Sequence, residues 1–202
     1  MAPATRRQDS AAYTRTVILE AALDLFCAHG YASTTVNDVA ARAGVAVATV
    51  YTSVGNKTTL LRTLVQRSAN ATEIDESVAT AAAAADPRGI IGLVAAATGD
   101  GHEKYARVIR LMFETATTVP EIADETERVV SGYRANLRIS ATRLQELGAL
   151  RAGTTVESAV DVLWFYFGLY SFPTLVRDNG WSYDRAKEWL ADRAAEVLLD
   201  RG

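Results

Sequence analysis

Side chains able to do acid–base, nucleophilic or metal chemistry are scarce in this 202-residue sequence, which has two histidines, His29 and His102, and one cysteine, Cys27. The histidines are far apart and read as belonging to different helices, and no cluster of His, Cys, Asp and Glu has metal-ligand spacing. No glycine-rich loop has the pattern that cradles phosphate. His102 beside Glu103 reads as an exposed helix start, and Gly99-Asp100-Gly101 as the turn before it. The inventory points away from an enzyme and implies no cofactor or metal. It leaves recognition. Residues 35–54 read as two short helices joined by a tight glycine turn, an arrangement that fits the second helix into the major groove of DNA. The same spacing also serves as a plain packing unit in all-helical proteins, so spacing alone leaves both readings open.

The elements around that stretch are helical throughout. Ile18, Ala22, Leu25 and Phe26 follow the helical period, and Gly30 supplies a stop. Thr35 with Asp38 makes a capping-box start for a short second helix, with Val39, Ala40 and Ala43 as its apolar face and Gly44 as its end. Val47 to Ser53 forms the third helix and Gly55 ends it; Asn56 then caps a fourth, carrying Leu60, Leu61, Leu64 and Val65. Asp86-Pro87 opens a fifth helix ending near Gly101, Glu103 to Thr117 a sixth, and Pro120 a seventh that Gly148 closes. Thr154 with Glu157 reads as a second capping box, for a helix over 156–177 that is apolar on nearly every side and therefore buried all round. A last helix spans 182–200. Period-two patterning, the mark of strands, is missing from the sequence.

Composition agrees with a packed helical protein: hydrophobic residues make up 49% and charged residues 22%. The net charge of −3 conceals an asymmetry, because residues 1–67 carry seven Lys/Arg against four Asp/Glu while the rest carry fourteen against twenty. Only the first segment suits a polyanion. The most apolar run, Val162 to Tyr170, is far shorter than the ~20 residues of a membrane-spanning helix. A single cysteine and an N-terminus without an apolar signal core lead to the expectation of a cytoplasmic protein.

The segment Thr34-Thr35-Val36-Asn37-Asp38-Val39-Ala40-Ala41-Arg42-Ala43-Gly44-Val45, followed by Ala48-Thr49-Val50-Tyr51, resembles the head of the TetR family of transcriptional regulators. Asn56-Lys57 and Leu60-Leu61 fall in register, as do Phe26 and Gly30-Tyr31 upstream; the resemblance covers about residues 14–65, and beyond it only length, helix count and the Gly148-Ala149-Leu150-Arg151 turn agree. It implies an all-α fold of nine or ten helices, with a DNA-binding domain over residues 1–66 and an effector-binding and dimerisation domain over 67–202. By the same resemblance Thr35, Thr49, Tyr51 and Lys57 match positions that contact phosphates, and Asn37, Val47, Ala48, Thr52 and Ser53 match positions available to bases or backbone. Plainer roles exist: Tyr51 as a plug in the head's small core, Thr35 as a cap only, Lys57 as a solvated charge. The sequence departs from the family where Ala46 replaces the usual Ser or Thr cap, and where Ser53-Val54 replaces an aromatic pair. The reading surface is therefore small and methyl-bearing, with Val47 and Ala48 suited to thymine methyls.

The resemblance implies a repressor that binds a palindromic double-stranded operator as a homodimer, paired through 156–177 and 182–200, and leaves it when a small apolar or aromatic effector binds. Trp164, Phe167, Tyr170, Trp189 and Leu198 offer the apolar surface for such pairing, though part of it can be internal core. Effector contacts are expected among Tyr105, Met112, Phe113, Tyr133, Leu137, Trp164 and Phe167, which recur on inward-looking helical faces; a filled core would show the same stripe. Two other classes compete, an enzyme with a central cavity and a pure interaction protein using the helix over 156–177.

Overall fold

The computed structural model describes residues 3–69 and 72–200, which form nine α-helices and one π-helical turn and, among these residues, no strand. The helices are α1 (Pro3–His29), α2 (Val36–Ala43), α3 (Val47–Ser53), α4 (Lys57–Ala69), α5 (Thr72–Ala83), α6 (Pro87–Ala116), α7 (Pro120–Glu146), α8 (Val156–Phe167) and α9 (Tyr183–Leu198), with the π-helical turn at Pro173–Asp178. An all-α fold is what the apolar periodicity requires. Two compact units divide the chain: Met1–Ala69 with Arg107–Glu127, and Asn70–Ala106 with Arg128–Gly202. Both α6 and α7 thus contribute residues to each unit.

In the first unit α1 packs against α2, α3 and α4. The expected local signals govern it. Thr35 is the N-cap of α2: its hydroxyl accepts from the Asp38 N–H at 3.2 Å, and the Asp38 carboxylate accepts from the Thr35 N–H at 2.8 Å. Gly44 ends α2 in the left-handed conformation at φ 67°, open to glycine at no steric cost, and the Val45 N–H then reaches the Ala40 carbonyl. Val39, Ala40 and Val50 bury the inner faces of α2 and α3 against Ile18, Ala22 and Phe26 in one small core, with Leu60, Leu61 and Val65 of α4 also buried. Val108, Leu111, Met112 and Ile122 are the buried hydrophobic residues that α6 and α7 add to this unit.

The second unit has its own core, in which Ile90, Ile91 and Ala95 of α6, Leu137, Ala141 and Leu144 of α7, Leu163 and Phe167 of α8, and Leu190, Ala194 and Leu198 of α9 are all buried with Phe172. Here the structure corrects three expectations. First, α6 runs unbroken through Gly99-Asp100-Gly101, where a turn was expected, and neither glycine has positive φ. Gly99 serves close approach instead: a Cβ there would lie 2.4 Å from Lys187 Cγ and 3.1 Å from Phe172 Cε1. Second, the helix expected over 156–177 stops at Phe167. Gly168 turns extended (φ −69°, ψ −174°), and the chain then makes the π-helical turn that starts at Pro173. A Cβ on Gly168 would lie 2.3 Å from the Trp164 carbonyl oxygen, so the residue packs directly on the backbone of the last turn of α8. Third, the cap of α8 is one residue further on than expected, Thr155 with Ser158, and Glu157 pairs instead with Arg138 at 2.8 Å. α5 is a separate helix where the sequence showed only an alanine-rich run.

Candidate functional site

The residues expected to meet DNA lie on α2, α3 and the start of α4. Val47, Ala48, Tyr51 and Thr52 are exposed on α3; Thr49 and Ser53 are half-buried beside them. Tyr51 is 54% exposed, so it does not plug the core, and Val50 at 0% fills that place. Thr52 returns its hydroxyl to the Ala48 carbonyl at 3.0 Å, which leaves its methyl as a contact group. Asn37 and Thr35 are exposed at the N-terminal end of α2. The Asp38 carboxyl is held below its ordinary range by the Thr35 hydroxyl and then by the Thr35 N–H. Ala46, at the N-cap of α3, makes no side-chain bond, as its methyl dictates.

Lys57 is not a free solvated charge. Its Nζ donates to the carbonyls of Tyr31 at 2.9 Å and Ala32 at 3.1 Å and sits 4.4 Å from the centre of the Tyr31 ring. It therefore ties the start of α4 to the turn after α1, while the Tyr31 hydroxyl meets the Thr58 hydroxyl at 3.2 Å.

Two supports of this surface have no sequence signal. The Arg15 guanidinium on α1 donates to the Ser53 carbonyl and so holds the C-terminal end of α3. Asp24 of α1 accepts from Arg107 of α6 at 2.8 Å and from Arg42 of α2 at 3.3 Å. The Arg107 bond is the largest cause lowering the Asp24 pKa, and the same bond raises that of Arg107. These partners are separated by up to 83 positions along the chain, beyond the reach of any local pattern.

The residues expected to contact an effector fall in both units. Met112, buried, and Phe113, half-buried, belong to the first. In the second, Leu137 and Phe167 are fully in the core, Trp164 meets Tyr133 edge-on at 5.6 Å with Arg134 over its ring, and Tyr105 is half-buried beside Lys104. The Tyr133 hydroxyl lies 2.7 Å from the Phe167 carbonyl and 2.6 Å from Thr98 Oγ1, which itself lies 2.7 Å from the Val94 carbonyl. A carbonyl only accepts, so Tyr133 gives its one proton to Phe167 and Thr98 gives its own to Val94, with the two hydroxyls in contact. Burial raises the Tyr133 pKa and keeps the phenol neutral.

His102 corrects the sequence reading most sharply. It is no exposed helix start: it sits inside α6, 3% exposed, with its ring stacked on Phe172 at 5.2 Å. Phe172 in turn stacks on Tyr183 at 6.3 Å, and the Tyr183 hydroxyl donates to the His102 carbonyl at 3.4 Å. The ring donates to the Gly168 carbonyl while Nε2 is enclosed with no partner, which makes Nδ1 the donor. Burial pushes its pKa down to about 4, against the Gly168 bond, so the ring is neutral near pH 7. Two consecutive carbonyls at the end of α8, Phe167 and Gly168, are thus satisfied by Tyr133 of α7 and His102 of α6.

The model of the bacterial regulatory proteins of the tetR family matches residues 18–64, which run from α1 through α4. The head, residues 18–64, is therefore that of a tetR-family regulator. The chain is a DNA-binding transcriptional regulator. The whole chain is similar to solved structures of that fold: NalD of Pseudomonas aeruginosa, the secondary repressor of the MexAB-OprM multidrug efflux pump (TM-score 0.77, 23% identity, 96% of this chain and 100% of that one); a transcriptional regulator of Saccharomonospora viridis in complex with choline (0.75, 20%, 94% and 100%); and FadR of Bacillus subtilis in complex with stearoyl-CoA (0.75, 17%, 90% and 98%). At these identities the likeness is one of fold. No curated protein matches the chain. Among the described residues no helix is long and apolar enough to cross a membrane, and no group of His, Cys, Asp and Glu has the arrangement of a metal site.

Proposed function

We propose that this protein is a homodimeric repressor whose head, residues 1–66, reads a palindromic operator through α3, and whose body, residues 67–202, binds a small, largely apolar effector that releases the DNA. The observation that carries the first part is the outward face of α3. Val47, Ala48, Tyr51 and Thr52 stand exposed on a helix fixed from behind by Val50, by the Arg15 bond to Ser53 and by the capped α2. Methyl groups on this face suit thymine methyls in the major groove; Tyr51, Thr35, Thr49 and Lys57 are the proposed phosphate contacts, with Asn37 and Ser53 at its edges. Lys57 would approach phosphate while its Nζ still bonds the Tyr31 and Ala32 carbonyls, because an ammonium has three donors.

Pairing through α8, α9 and the segment between them is supported by the apolar groups they leave in solvent: Phe165 is 73% exposed and Tyr170 67%, with Trp189 and Val197 also exposed. Exposed apolar area of this kind is what a two-fold interface covers. A repressor released by ligand is the output we infer from the paired design, with Tyr105, Tyr133, Leu137, Trp164 and Phe167 of the second unit as candidate lining.

Fluorescence anisotropy on DNA flanking the gene tests the reading. We expect affinity that falls steeply with salt, a change in base preference for Val47→Ala, and a salt slope reduced by ~1 for Lys57→Ala. Binding indifferent to salt and sequence would reject it. Sedimentation of a monomer at micromolar concentration would reject the pairing.

A further inference from the structure

Among the described residues, His102 Nε2 is a buried side-chain acceptor in the body that the fold leaves unused. Of its polar groups near the end of α8, Tyr133 and Thr98 have their protons committed, and His102 Nδ1 is committed to the Gly168 carbonyl. Nε2 of the same ring is enclosed and unbonded. An unmet buried acceptor is costly, and the histidine bears that cost in a ring stacked on Phe172. The stack holds the ring plane, and the Gly168 bond fixes where the lone pair points because flipping the ring would break it. It lies beside the proposed effector residues, since Gly168 follows Phe167 and Phe167 is held by Tyr133, which packs on Trp164.

The geometry points to Nε2 of His102 as the polar anchor of the effector site, selecting a neutral, largely apolar molecule that presents a hydroxyl to it. This rests on the effector reading above and narrows it to a ligand class. A hydroxyl supplies the one thing Nε2 lacks, a donated proton, while the ligand's body meets rings and alkyl groups. A carboxylate has no proton to give, and a neutral imidazole whose only N–H is spent on Gly168 has none to offer in return. Deep burial keeps the ring in that neutral form at pH 7. An anion there would also lose hydration with no compensating bond.

The test uses the full-length protein and three matched probes: p-octylphenol, its methyl ether and p-octylbenzoate. Calorimetry is expected to give about tenfold tighter binding of the phenol than of the ether, a fold-change typical of one buried hydrogen bond, and the benzoate should bind weakest. His102→Asn is the informative variant, since an asparagine amide can occupy the place of Nδ1 and keep the Gly168 bond while removing Nε2. In it the phenol and ether should bind within about twofold of each other, with melting temperature and circular dichroism used to show that it folds. His102→Gln, which can restore an acceptor near Nε2, should recover part of the preference. The chain has only two histidines and His29 is exposed, so nitrogen-15 spectra resolve the ring directly. The unprotonated nitrogen of His102 should shift when the phenol is added and not when the ether is. Equal binding of phenol and ether, a preference that survives in folded His102→Asn, or no probe binding at all would overturn this assignment. The effector reading itself fails separately, if no compound in a broad screen releases the protein from its operator.

Discussion

The head and the body place their polar groups in opposite ways. In the head, the hydroxyls and amide that matter are at the surface, and the glycines sit where a turn must be made: Gly44 at φ 67° between α2 and α3, and Gly30 at φ 84° after α1. In the body, polar groups are drawn inward. Thr98, Tyr133 and His102 converge on the broken end of α8, and Gly99, inside α6, and Gly168, at that end, make room for neighbours without a positive φ. A surface that reads a regular polymer can be built from residues close together in sequence. A site that encloses a molecule must be assembled from several helices, each contributing one group.

That contrast can be broken in several places, and acid should do so most strongly. The His102 pKa in the folded protein is about 4, below the ordinary 6.5, so the unfolded chain binds more protons between those values. Stability from this group is fully present above pH 6.5 and is lost as pH falls toward 4, by on the order of 3 kcal/mol. Thermal melts across this window should show the body losing stability in the wild type and much less in His102→Asn. Parallel slopes in the two proteins would show that His102 is not buried as described. The carboxylates with lowered pKa values, Asp24 and Asp178 among them, lose their contributions at lower pH still and are common to both proteins.

Next in size is Gly168→Ala, which places a methyl 2.3 Å from a backbone oxygen that cannot rotate aside. We expect ~2 kcal/mol of destabilisation by urea unfolding, typical of overpacking in a well-packed interior. Its operator affinity, measured below the melting temperature, should stay near the wild-type value. In the head the expected effects are smaller and come with a change in DNA binding. Thr35→Ala removes one half of the capping box and should cost ~1 kcal/mol, with weaker DNA binding at low salt. Smallest is Ala46→Ser, which supplies the missing cap of α3 and should stabilise the head by ~0.5 kcal/mol in chemical unfolding.

The sequence was informative where a structural cause lies within four residues of its effect. The capping box of Thr35 and Asp38, the left-handed Gly44, the Asn56 carboxamide that accepts from the Thr59 N–H, and the Ser182 cap of α9 all have this property. The exposed face of α3 was only partly legible, because the sequence left Tyr51 open as the plug of the small core, a place that Val50 takes. The site in the body was not legible. His102 looked like a surface residue because its sequence neighbours are glycine, aspartate and glutamate; it is buried by Phe172, seventy positions later. Gly99 and Gly168 carry no mark distinguishing a glycine that turns the chain from one that admits a neighbour, since only the third dimension supplies the neighbour. Tyr133 and Trp164 were singled out by spacing, but the proton of Tyr133 turns out to be spent inside the protein.

The tryptophans add a practical consequence. All three, Trp164, Trp181 and Trp189, belong to the second unit, where Trp164 lies against Tyr133 and the other two meet edge-on at 5.7 Å with Arg185 over Trp181. The α1–α4 region holds tyrosines but no tryptophan. Excitation at the red edge of protein absorbance therefore illuminates one unit and leaves the head dark, so a fluorescence melt and a helix-sensitive circular dichroism melt of the same sample watch different parts of the chain. Where the two curves separate, the interval between them measures how far the head and the body come apart in stability.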